Sequence, residues 1–134
     1  MAEPVWLDKA LLLALYEDVV AASGGAFGVR DEGLLESALQ RPLNRRHYEG
    51  VQDIPALAAT YAVAIARNHP FIDGNKRVAF IALGQFLDDN GLALTATDDD
   101  ATQAMLAVAT GELDEMQLAD WLRPRTSPLL AGPF

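Results

Sequence analysis

The sequence predicts an all-α fold, a bundle of about six helices with a loop or short hairpin ahead of the two central ones. Two observations carry this. Apolar residues recur at helical spacing over most of the 134 residues. Nearly every such run follows a residue that caps helices well: Asp8, Asp31, Asp53, Thr97 or Asp114. Only Leu92–Ala96 reads as a short extended piece.

Met1–Leu7 is a lead-in. Asp8 caps a helix over about Lys9–Ala22, with Leu12, Leu15, Tyr16 and Val19 on one stripe. Ser23-Gly24-Gly25 ends it. Asp31 opens a second helix to about Gln40, with Leu34, Leu35, Ala38 and Leu39 inward. Pro42 is expected to stop it, because proline lacks the N–H and clashes with the preceding turn. Leu43–Asp53 shows no helical periodicity and reads as the loop or hairpin.

Asp53 caps the next helix and Pro55 suits its first turn. Leu57, Ala58, Tyr61, Ala62, Ala64 and Ile65 leave it little polar face, so it should be central. Val78, Ala79, Phe80, Ile81, Leu83, Phe86 and Leu87 make a second central helix, closed by Asn90-Gly91. Thr97 and Asp100 resemble a capping box before a helix that runs to about Ala109. Asp114 caps the last helix, which carries Met116, Leu118, Trp121 and Leu122. Residues 1–123 are expected to form one domain, and residues 124–134 a mobile Pro-rich tail.

Composition excludes several classes. With 51% hydrophobic residues the chain is not disordered, and with no cysteine it has neither disulfides nor thiolate metal sites. No apolar run reaches membrane-spanning length and the start is not a signal peptide, so a cytoplasmic protein is expected. A formal charge of −9 argues against binding nucleic acid directly. Yet Arg41–Arg77 holds six Lys/Arg against three Asp/Glu. That segment is expected to set up a positive field for a polyphosphate.

The chemistry concentrates in His69-Pro70-Phe71-Ile72-Asp73-Gly74-Asn75-Lys76-Arg77, between the two central helices. Pro70 disfavours helix at His69, so the first central helix should end near Asn68. Gly74 permits a tight turn, and Asn75 is expected to cap the second. The free N–H groups of its first turn, with Lys76 and Arg77, make an anion site. Asp73 at its edge suits a hard cation such as Mg²⁺ shared with phosphate oxygens. His69 can exchange a proton near neutral pH. His47, the only other histidine, has no ligand cluster around it.

This stretch resembles the Fic/Doc motif, His-Pro-Phe-x-Asp/Glu-Gly-Asn-Gly-Arg. In the Doc (death-on-curing) branch the second glycine is typically lysine, as Lys76 is here. The resemblance extends to Gly24-Gly25, to Gly28-Val29-Arg30-Asp31-Glu32-Gly33-Leu34-Leu35-Glu36 and to Ala66-Arg67, and spans roughly Val5 to Leu122. It implies a Fic/Doc helical bundle in which Leu43–Asp53 is the flap beside the active site. It implies ATP and Mg²⁺, with His69, Asp73, Lys76 and Arg77 as the catalytic residues, His69 as the base and Asp73 as the metal ligand, and with Arg67, Gly74, Asn75, Lys76 and Arg77 around the phosphates.

Two departures from AMP-transferring Fic enzymes bear on the reaction. Those enzymes have glycine at Lys76 and usually a second arginine at Phe80. The resemblance to Doc implies a reversed nucleotide that presents its γ-phosphate. The expected protein is a toxin of a toxin–antitoxin pair that phosphorylates a Ser/Thr hydroxyl of a translation protein, elongation factor Tu being the family's target. Protein AMP transfer is the alternative, and a non-catalytic Fic-like binding module a further one. No Ser or Thr is followed four positions later by Glu, so the built-in inhibitory motif of many Fic proteins is missing. A separate antitoxin is therefore expected, with a disordered segment that folds into a helix on binding.

Overall fold

A computed structural model describes residues 3–129. Its elements are α1 (Lys9–Ser23), α2 (Glu32–Glu49), α3 (Ile54–Asn68), α4 (Asn75–Asp89), β1 (Leu92–Leu94), α5 (Asp98–Ala109) and α6 (Glu115–Leu122). A 3₁₀ turn (Arg123–Arg125) and β2 (Thr126–Pro128) follow. The fold is the expected all-α bundle of six helices. Among the described residues no helix is long and apolar enough to cross a membrane.

Local signals start most of the helices where expected. Asp8, Asp31, Asp53, Thr97 and Asp114 each accept a backbone N–H of the turn they open. Asp114 and Gln117 complete a reciprocal capping box. On α1 the buried stripe is Leu12, Tyr16 and Val20, so Val20 takes the place predicted for Val19.

α3 forms the centre, with buried residues on nearly every side. It packs against α2, α4 and α6. Its one fully buried polar side chain is Thr60, whose hydroxyl donates to the Ala56 carbonyl at 2.8 Å and accepts from Arg45 Nη1 at 2.7 Å. The lead-in is anchored too: Val5 exchanges two hydrogen bonds with the Asn90 side chain, and Trp6 stacks on Phe86.

Two expectations fail. Pro42 does not end α2, and no hairpin follows it; the helix runs through to Glu49 and closes on left-handed Gly50. Proline inside a helix costs about 3 kcal/mol. Here the ring is buried, and the turns on both sides of it are tied to other elements. Arg41 binds Glu115 on α6, Arg45 binds Thr60 on α3, and Arg46 binds Glu3. Tertiary contacts of that number outweigh one local penalty.

The stretch from Pro124 is likewise not a loose tail as far as residue 129. β2 pairs antiparallel with β1, Leu92 facing Pro128 and Leu94 facing Thr126. Arg125 lies over the Trp121 ring at 4.6 Å. The rest of the expected tail, residues 130–134, lies outside the described residues.

Candidate active site

The loop between α3 and α4 carries the motif. α3 stops at Asn68 because His69 is left-handed, with φ of 52°, the only such non-glycine among the described residues. The α1–α2 connection holds this loop in place. Pro70's carbonyl accepts the N–H groups of Arg30 and Asp31, and the Ile72 N–H reaches Gly28's carbonyl at 2.9 Å. Arg30's guanidinium reaches the carbonyls of Asn68 and His69. Beneath, Phe71 is fully buried, with its ring centroid 4.3 Å from that of Tyr16. The Tyr16 hydroxyl donates to the Asp73 carbonyl at 3.0 Å and accepts the Gly28 N–H. Tyr16 and Arg30 are site-building residues; the sequence placed Tyr16 only on the buried stripe of the first helix and gave Arg30 no role of its own. The only signal was that Arg30 stands in the stretch that shares the family resemblance.

A cleft of about 590 Å³ opens on this loop. His69, Asp73, Gly74, Asn75, Lys76 and Arg77 all line it, together with Phe80. Ile72 of the loop adds to the lining, and α5 supplies the rest through Asp98, Thr102, Met105 and Leu106 among others; nothing in the sequence pointed to the α5 residues. Lys76 and Arg77 are exposed on the first turn of α4, which no side chain caps. The described ion pairs use Lys9, Arg41, Arg45, Arg46, His47 and Arg123, and leave Lys76 and Arg77 unpaired. An uncapped helix start with two unpaired cations suits an anion.

Three residues differ from their predicted parts. Asn75 is not the cap: Gly74 takes that position at φ 76°, and Asn75 is the first helical residue. Its side chain is 4% exposed and turned inward, where it bonds both the N–H and the carbonyl of Phe71 and meets His69 Nδ1. Gly74 spends its N–H on Asp73 Oδ1 at 2.8 Å, so what it offers the site is its left-handed backbone.

Arg67 is not in the cleft. It borders a separate cavity of about 200 Å³ with Ser37, Arg41, Asn68 and Glu115. Positions two apart on a helix do not share a face, and the left-handed turn at His69 carries the chain away from the last turn of α3. The expected positive field also shrinks. Arg41, Arg45 and Arg46 are drawn into pairs with Glu49, Glu115 and Glu3, which leaves the cleft with Lys76 and Arg77.

Asp73 is the one carboxylate on the loop, and among the described residues no three His, Asp or Glu side chains gather as a metal nest. Mg²⁺ suits such a site only as an ion shared with substrate phosphates, held by one or two carboxylates and by water. Asp73 fits that requirement. Its Oδ2 sits against Gly25, where a β-carbon would lie 2.9 Å away.

The sequence model of the Fic/DOC family matches residues 6–87. The chain is 37% identical over 112 residues to the "Protein kinase doc" of Escherichia phage P1, covering 84% of this chain and 88% of that protein. It is 43% identical over 107 residues to the "Toxin Doc" of Mycolicibacterium smegmatis (strain ATCC 700084 / mc(2)155), covering 73% and 81%.

Proposed function

This chain belongs to the Fic/DOC family, and we propose that it is a Doc-like toxin that moves the γ-phosphate of ATP to a Ser or Thr hydroxyl of a protein. The observation that carries the reading is Lys76. It stands beside Arg77 on the uncapped first turn of α4, in one cleft with His69 and Asp73. Phosphoryl transfer asks a protein for positioning and for charge to offset the phosphates, which is what this short constellation offers. Phe80 lines the same cleft without adding a second arginine. This supports γ-phosphate over AMP transfer.

In this reading Lys76, Arg77 and the free N–H groups of α4 hold the phosphate oxygens. Asp73 would hold Mg²⁺ against the same phosphates, and the ion, when bound, offsets their charge. His69 meets the acceptor hydroxyl and the transferring group. The proposed target is a translation protein, elongation factor Tu being the candidate. The proposed regulator is a separate antitoxin whose disordered segment folds into a helix on this protein. In support, no Ser or Thr here begins a built-in inhibitory motif.

Incubation with ATP labelled at the α- or at the γ-phosphate tests the reaction. Label on protein from the γ-position only is expected. His69→Ala should lower transfer by about 10²–10⁴-fold while the fold survives, since His69 is exposed at a helix end. Label from the α-position would replace the reading by AMP transfer. No label from either would leave a binding module.

A further inference from the structure

Asn75 Nδ2 lies 3.1 Å from His69 Nδ1. The other partners of the amide settle which of its ends this is. Asn75 Oδ1 accepts the Phe71 N–H at 2.9 Å, and Nδ2 donates to the Phe71 carbonyl at 2.9 Å. The reverse orientation would set N–H against N–H and oxygen against oxygen on a nearly buried side chain. The group facing His69 is therefore the NH₂, a donor with no acceptor capacity. A donor at that position requires a lone pair on Nδ1, and the proton of the neutral ring then sits on Nε2.

We propose that Asn75 is a positioning residue that fixes His69 as the Nε2–H tautomer, so that the free enzyme presents a hydrogen-bond donor to the cleft instead of a base. His69 lines the cleft, and Nδ1 is the ring nitrogen engaged by Asn75. In this state the ring suits a phosphate oxygen, which accepts. It takes no proton from a hydroxyl at Nε2 until that proton has left and Nδ1 has gained one. An Nδ1–H would face the Asn75 NH₂, donor against donor, and break the contact. The amide cannot turn to follow, because Phe71 holds both of its ends. The His69 backbone is pinned as well, through its carbonyl on Arg30. His69 therefore becomes a base only when its ring swings off Asn75. This consequence for catalysis rests on the phosphotransfer reading; the tautomer does not.

The test is nitrogen NMR of the ¹⁵N-labelled, nucleotide-free chain, with the His69 ring read in its neutral state. His47→Gln assigns the two histidines. The expected spectrum has Nε2 protonated, and Nδ1 unprotonated and shifted upfield as a hydrogen-bonded nitrogen. Asn75→Ala, if folded, should lose that upfield shift. Asn75→Asp puts an acceptor at Nδ1 and should move the proton there, a reversal that a purely structural role would not produce. A wild-type ring protonated at Nδ1, or with Nδ1 at the free-imidazole position, overturns the proposal. So does a folded Asn75→Ala variant whose Nδ1 position equals wild type. If neither variant folds, the wild-type spectrum decides alone. The spectra need no activity, so a chain that fails to transfer phosphate would remove the proposed function and leave the tautomer standing.

Discussion

Arg30 grips the His69 carbonyl with two nitrogens, Nε at 2.9 Å and Nη2 at 2.7 Å. Nη2 also reaches the Asn68 carbonyl at 3.2 Å. These are carbonyls at the end of α3, where the helix supplies no partner of its own. A residue from the α1–α2 connection thus caps α3 at the point where the chain turns into the motif.

Arg30→Ala should therefore cost activity more than stability. Loss of its hydrogen bonds, exposed and weakened by solvent, destabilises by about 1–2 kcal/mol. A catalytic loop displaced by a fraction of an ångström is expected to lose about 10–100-fold in transfer rate. Arg30→Lys should recover little, because the planar fork is gone. The checks are the transfer rate and the urea midpoint of each variant. An Arg30→Ala rate equal to wild type would remove the positioning role.

Gly25 and Gly24 should respond differently to a methyl group. At Gly25 it would lie 2.9 Å from Asp73 Oδ2, and the carboxylate must move. Gly25→Ala is expected to raise the Mg²⁺ concentration needed for half-maximal transfer. At Gly24 the space is open but φ is +75°. Gly24→Ala should cost about 1 kcal/mol of stability and leave the Mg²⁺ requirement alone. Mg²⁺ titrations of both variants, beside thermal melts, separate the two. Identical Mg²⁺ curves would disconnect Gly25 from the metal-holding role proposed for Asp73.

Lys76→Gly removes one of the two cations in the cleft. It should weaken γ-phosphate transfer clearly, with full AMP transfer still blocked because Phe80 takes the place of a second arginine. Parallel assays with both labelled forms of ATP read this directly. A variant that phosphorylates as well as wild type would show that Lys76 does not choose the reaction.

Burial pushes the Tyr61 hydroxyl up to about 12 from its ordinary 10.0. An acid whose folded pKa is raised holds its stabilising effect below the unfolded value. The chain should thus keep full stability up to about pH 10 and lose on the order of 2–3 kcal/mol by pH 12. Tyr61→Phe should flatten that part of the curve. It should also start slightly less stable, because the Leu7 N–H loses its acceptor at 3.2 Å. Urea unfolding of both proteins across this range provides the measurement. An equally steep fall in Tyr61→Phe would assign the effect to another group.

Much of the architecture is written locally. Asp8, Asp31, Asp53, Thr97 and Asp114 cap where they stand, because a cap is a contact over two or three residues. The central place of α3 also follows from its own composition, since a helix with little polar face has to be enclosed. Likewise His69, Asp73, Lys76 and Arg77 fall in one cleft because one tight loop and one helical turn carry them all.

Tertiary structure alone decided the rest. Pro42 stays inside α2 because partners far along the chain hold both sides of it. Residues 126–128 form a strand only because β1 offers it an edge. Arg67, two positions from His69, borders a different cavity, while α5, some thirty residues onward, lines the cleft. Asn75 could be read as a cap from its type. That it turns inward to a histidine ring depends on Phe71 being locked under Tyr16. The physical division is one of range. Propensity and capping act over a single turn and show in the sequence, whereas the partner of a side chain across the bundle is set by packing, which no local pattern records.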